Sequence, residues 1–163
     1  MERVCIIDYG MGNLWSIESA LNFLGAKVII TSDINKISNA NKLILPGVGS
    51  YFKAMQSLNN LKLTDVIRNS VLEGKNKILG ICLGMQLMSN DGVEDGQCSG
   101  LGLIPTTTLP FSKGSTEELR LPHIGFNSVD PPSQSLLFKD INSPCDFYFV
   151  HSYYLPPNID CGV

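Results

Sequence analysis

The stretch Gly80-Ile81-Cys82-Leu83-Gly84 sets a cysteine between two glycines, the thiol counterpart of a Gly-x-Ser-x-Gly nucleophile elbow. Such an elbow turns a strand sharply into a helix and holds the nucleophile at the apex in a strained backbone conformation. Bulky side chains two residues to either side would collide there, so glycine is favoured at both places. The turn lifts the sulfur above the carboxyl edge of the sheet, where open α/β sheets bind ligands. A helix beginning at Cys82 would favour thiolate over thiol, and the Leu83 amide would point to where an oxyanion forms. The five-residue pattern alone fits a buried cysteine at a Gly-rich strand end about as well. The apolar strand before it and the expected amphipathic helix after it favour the nucleophile.

Other stretches carry weaker signals. Leu45-Pro46-Gly47-Val48-Gly49 follows a second apolar run, and its backbone amides could bind a carboxylate or an oxyanion, although Pro-Gly is first a turn signal. Gly10-Met11-Gly12-Asn13 lacks the third glycine and the downstream acid of a dinucleotide fingerprint, which excludes a nicotinamide site. The five cysteines are an odd number with no close pair, so neither a disulfide framework nor a metal knuckle is expected. With two histidines only, His123 and His151, a zinc site is not expected either. No cofactor is called for. Cys5 and Cys145 read as small buried hydrophobes.

These groups need a scaffold. Residues 4–8, 28–31, 43–45 and 77–81 are short apolar runs that read as buried strands. Leu14, Ile17, Leu21 and Leu24 recur at helical spacing, with Asn13 placed to cap the start and Gly25 to end it. Leu63, Val66, Ile67 and Val71 mark another helix ending near Gly74. The alternation predicts an α/β fold: a doubly wound, mostly parallel sheet with helices on both faces. After residue 101 the apolar pieces shorten and prolines intervene, so antiparallel strands appended to the core, forming one mixed sheet, are expected. The 163 residues fit a single domain, 44% hydrophobic and 17% charged. A net charge of −3 without basic clusters argues against nucleic acid. No apolar run is long enough for a bilayer span and no signal-peptide layout precedes the first strand, so a cytoplasmic protein is expected.

Six motifs then occur in order: residues 8–16 (DYGMGNLWS), 45–49 (LPGVG), 80–86 (GICLGMQ), 100–105 (GLGLIP), 122–127 (PHIGFN) and 148–154 (YFVHSYY). Together, over essentially the whole chain, they resemble the glutaminase subunits of imidazole glycerol phosphate synthase, which are class I glutamine amidotransferases. The resemblance implies that Cys82 attacks the carboxamide of glutamine, releasing ammonia and leaving a thioester for water to cleave. It implies an oxyanion hole from the backbone amides of Val48 and Leu83. Gly47, Gly49, Gln86, Ser152 and Tyr153 match positions that hold glutamine or shape its site. It further implies a (β/α)8-barrel cyclase as heterodimer partner, which receives the ammonia, with Asn13, Phe126 and Asn127 in regions that resemble its interface.

Some residues depart from the family. The activating histidine and orienting glutamate of its His-Pro-Glu motif do not occur in residues 1–163, which leads to the expectation of a C-terminally shortened domain with little activity by itself. His123 and His151 match other motifs, and structural or interface roles are expected for both. Phe126 stands where tryptophan is common, and Trp15 where a basic or polar residue is common. Two alternatives follow: a paralogous amidotransferase subunit serving amidination of surface sugars, or a non-catalytic partner-binding subunit.

Overall fold

The computed structural model describes residues 3–111, 120–132 and 134–156. Its first half is a four-stranded, all-parallel sheet. β1 (Arg3–Ile7) lies between β2 (Lys27–Thr31) and β3 (Lys42–Leu45), and β3 carries β4 (Lys77–Gly80) on its far side. All four expected strands are present. Their side chains alternate, as period-two geometry requires. Val4, Ile6 and Ile44 face one side, where Leu14, Ile17 and Leu21 of α1 (Leu14–Phe23) cover them. Cys5, Ile7, Leu43 and Leu45 face the other, under α2 (Ile34–Ser38), α3 (Tyr51–Asn60) and α4 (Leu63–Leu72). Helices therefore flank both faces, and the carboxyl ends of β1, β3 and β4 share one edge.

The helix ends follow local chemistry. The Asn13 side chain accepts from the Ser16 amide at 3.3 Å, satisfying one orphan donor of α1, and Gly25 (φ +77°) and Gly74 (φ +71°) follow α1 and α4 in the left-handed region. α2 and α3 have no counterpart among the sequence expectations. α3 was legible, since Tyr51, Ala54, Met55 and Leu58 are all buried at ideal helical spacing behind Ser50 as cap.

Two expectations are corrected. The helix after the elbow, α5 (Leu83–Gln86), is a single turn rather than an amphipathic helix. The carbonyls that would extend it are captured from elsewhere: the Leu87 oxygen by the Leu101 amide and the Met88 oxygen by the Ile104 amide, both at 2.8 Å. The Ser89 hydroxyl lies 2.7 Å from the Gln86 carbonyl. The chain is thereby drawn into β5 (Ser89–Gly92). The later strands also do not join the parallel sheet. β5 sits between β6 (Cys98–Ser99) and β7 (Ile104–Pro110), and β7 pairs with β10 (Tyr153–Tyr154), forming a separate four-stranded sheet. β8 (His123–Val129) and β9 (Cys145–His151) form an antiparallel hairpin of their own. Among the described residues no helix is long and apolar enough to cross a membrane.

Candidate active site

Cys82 ends the approach from β4 with φ +54° and ψ −118°, a conformation sparsely populated for any residue bearing a Cβ. The flanking glycines are needed for close packing. A Cβ on Gly80 would come within 2.6 Å of the Met85 amide nitrogen, and one on Gly84 would overlap the Leu45 carbonyl oxygen. The thiol is exposed, unlike that of Cys5, which burial pushes up to about 11. The elbow expectation is met in its backbone and in the access it gives the sulfur. The one-turn α5 aligns few peptide dipoles at the elbow. Leu83 stands at the first helical position, where an amide has no acceptor within its own helix.

The loop after β3 packs directly on this elbow. A Cβ on Gly47 would lie 2.7 Å from the Gly84 nitrogen and 2.8 Å from the Leu83 Cβ, so only glycine lets the two loops approach this closely. Tyr9, which stands in the first motif but carried no expected role, is the support beneath. Its buried hydroxyl donates to the Pro46 carbonyl at 2.7 Å, and burial, then the nearby Cys82, raises its pKa far above the ordinary tyrosine range. A polar aromatic following an apolar strand was the available signal. Beyond Gly47 the chain turns outward: the Val48 side chain is 62% exposed and Gly49 has φ +100°.

These parts meet in a cleft of about 210 Å³, below the roughly 300–1,000 Å³ of pockets for drug-sized ligands and suited to something smaller. Val48, Gly49, Cys82, Leu83, Gln86, Ser152 and Tyr153 all line it, seven of the eight residues expected to bind or react; Gly47 lies behind it against the elbow. The Gln86 side chain is buried, and its Nε2 donates to the Tyr153 carbonyl at 3.1 Å, which ties α5 to β10. Glu94 also lines the cleft and was not anticipated from sequence. Its carboxylate accepts from the Tyr51 amide at 3.0 Å, at the start of α3. Nothing in its Asp-Gly-rich surroundings distinguishes it from a turn residue.

His151 lines the same cleft, but both of its ring nitrogens are engaged. Nδ1 lies 2.9 Å from the Tyr153 carbonyl and Nε2 lies 3.1 Å from His123 Nδ1. That arrangement agrees with a structural role for the two histidines and leaves neither nitrogen of His151 for Cys82. Among the described residues no group of three or more potential metal ligands occurs. The residues assigned to an interface lie apart from the cleft. Asn13 caps α1, while Phe126 and Asn127 are consecutive on β8 and so face opposite ways. Phe126 (73% exposed) packs its ring 5.1 Å from that of Tyr148, beside Ile124 and Val150, on an open apolar face of the hairpin.

A parallel α/β sheet with a strained cysteine elbow facing an amide-bearing loop is the construction of an amidotransferase-type cysteine hydrolase. The family described as class I glutamine amidotransferase matches residues 5–161, and the chain belongs to it. Within that family the similarity is to imidazole glycerol phosphate synthase subunit HisH. The chain is 44% identical to HisH 1 of Parasynechococcus marenigrum, over 94% of this chain and 73% of that protein. It is likewise 44% identical to HisH of Moorella thermoacetica, over 96% and 72%, and 41% identical to HisH 1 of Campylobacter jejuni, over 93% and 75%. A crystal structure of a glutamine amidotransferase superimposes with a TM-score of 0.62 at 18% identity, covering 77% of this chain and 62% of that one, a likeness of fold.

Proposed function

We propose that this protein is a glutaminase subunit that hydrolyses glutamine and passes the ammonia to a cyclase partner making imidazole glycerol phosphate, in the cytoplasm. The observation that carries the reading is the conformation of Cys82, an exposed thiol at φ +54° in the cleft that also holds Gln86 and Tyr153. The Cys82 sulfur attacks the carboxamide carbon of glutamine, and the oxygen takes up negative charge facing the amides of Leu83 and Val48. Collapse delivers the proton given up by the thiol to the departing nitrogen, so that ammonia leaves and a γ-glutamyl thioester remains, which water cleaves to glutamate and free thiol. The Gln86 amide, with Gly49, Ser152 and Tyr153, orients the substrate.

The partner is a (β/α)8-barrel cyclase. Its seat is the apolar hairpin face bearing Phe126 and Tyr148, together with the exposed loop at Asn13. Relatives named as subunits of a synthase support this choice over surface-sugar amidination. The test is Cys82→Ala in the complex with the cyclase. Glutamine hydrolysis should vanish while partner binding and ammonia-driven synthesis persist. Glutamine hydrolysis at the parent rate would remove Cys82 as nucleophile.

A further inference from the structure

The three polar groups linked through the Tyr153 carbonyl form a directed chain whose proton positions follow from its chemistry. A carbonyl oxygen can only accept, and the Tyr153 oxygen faces Gln86 Nε2 at 3.1 Å and His151 Nδ1 at 2.9 Å. His151 must therefore carry its proton on Nδ1. When His151 is neutral its ring has one N–H, so Nε2 is an acceptor and the group 3.1 Å away, His123 Nδ1, is the donor. Each ring is set by the next. The rings are also held by aromatic neighbours: Phe111 lies edge-on to His151 at 5.0 Å, and Phe149 sits 5.7 Å from His151 and 6.0 Å from His123.

From this geometry we infer that His151, oriented by His123, is a positioning residue for glutamine: it fixes the Tyr153 carbonyl and through it the Gln86 carboxamide that meets the substrate. The inference rests on the reading of Gln86 and Tyr153 as glutamine-binding residues. The Tyr153 carbonyl has two acceptor directions, and His151 occupies one. Without that donor the carbonyl can swing toward water, and Gln86 loses the anchor that decides which end of its amide faces the cleft. The two histidines stand directly opposite each other across β8 and β9, on the face away from Phe126 and Tyr148. The relay thus joins the hairpin to the cleft floor without touching the reacting sulfur.

The experiment uses the complex with the cyclase and two replacements that separate the ring nitrogens. The amide nitrogen of asparagine falls near the Nδ1 position and that of glutamine near Nε2. His151→Gln removes the donor to Tyr153, and KM for glutamine should rise about tenfold, the worth of one hydrogen bond of about 1.4 kcal/mol. His151→Asn should restore KM to within about threefold of the parent, and ammonia-driven turnover should be unchanged in both. Equal KM values for the two variants would overturn the inference, as would loss of ammonia-driven turnover in step with glutamine use. Nitrogen-15 spectra of the unaltered protein give a second reading independent of variant folding. They should show His151 as the Nδ1–H tautomer, and an Nε2–H tautomer would overturn the relay. A failed Cys82→Ala test would strike the assignment of Cys82 as nucleophile alone, because neither the tautomer nor the KM comparison depends on the sulfur.

Discussion

Replacing Cys82 with glycine should make the protein more stable than replacing it with alanine, the reverse of the ordinary order. At φ +54° and ψ −118° a residue with a Cβ bears strain of about 1–3 kcal/mol. Alanine keeps the Cβ and keeps the strain. Glycine removes it, while its more flexible unfolded chain costs roughly 0.5–1 kcal/mol. The thiol is exposed, so losing the sulfur sacrifices little packing in either variant. The difference between the middles of these ranges leaves glycine ahead of alanine by about 1 kcal/mol. For a chain of this size each kcal/mol moves Tm by roughly 2–4 °C, so the glycine variant should melt about 2–4 °C higher.

The assay is thermal unfolding of both variants at one pH, repeated as urea titrations to confirm equal slopes. Lys62→Gly supplies a calibration, because exposed Lys62 sits at φ +58°, ψ +30°, in the better-populated left-handed helical region, and its gain should be smaller. Neither Cys82 variant should hydrolyse glutamine. If Cys82→Ala melts at or above Cys82→Gly, the elbow is not strained and the backbone argument for a nucleophile fails.

Three further outcomes follow from the supports of the site. Gly84→Ala drives a Cβ into the Leu45 carbonyl, which already accepts from the Ile81 amide at 3.0 Å; thermal unfolding should show a loss of about 3 kcal/mol or more, and Gly10→Ala, with open space around it, a smaller one. Tyr9→Phe leaves the buried Pro46 carbonyl without its donor, so stability should fall by about 1–3 kcal/mol; kinetics of the cyclase complex should show glutamine hydrolysis dropping more than ammonia-driven synthesis. Burial raises Cys5 to about 11 from an ordinary 9.0, so the native state holds that proton longer than the unfolded chain does. Its stabilising effect is intact below about pH 9 and lost as pH rises through 11, by roughly 2–3 kcal/mol. Tyr51, raised to about 12 chiefly by burial, extends the fall. Denaturant titrations from pH 8 to 11 should show a shallower decline in Cys5→Val.

The parallel half of the fold was legible because its signals are local. Apolar runs such as Lys42–Leu45 meet glycine or proline within a few residues, and Asn13 and Gly25 mark a helix without help from tertiary structure. The length of α5 could not be read, because it is decided by amides from residues 101–104, over a dozen positions away. The separation of the later strands into two further sheets was equally hidden. Short runs such as Ser89–Gly92 and Cys98–Ser99 carry too few residues for a period, and pairing partners are a tertiary choice. At the site, residue types revealed Cys82, while Glu94 and the histidine pair acquired meaning only when distant segments met. The expected interface motif at Phe126 and Asn127 resolved into opposite faces once the strand was seen.

The two glycine-rich motifs, thirty-odd residues apart, are better understood as one object. Gly84 is glycine because of the Leu45 carbonyl, and Gly47 is glycine because of the Gly84 nitrogen and the Leu83 side chain. Each loop removes the Cβ that would push the other away. The contact carries functional weight because Leu83 and Val48, one residue along from Cys82 and Gly47 respectively, supply the two proposed oxyanion donors. A shift of a few tenths of an ångström at the glycine contact is transmitted to the separation of those amides, on which electrostatic stabilisation of an oxyanion depends steeply. Tyr9 limits the shift from below by holding Pro46, and the residue after β4 limits it from behind through the Ile81 amide bound to Leu45. Strain at Cys82 persists because these contacts over-determine the turn, and the same contacts set the geometry in which the strained thiol is of use.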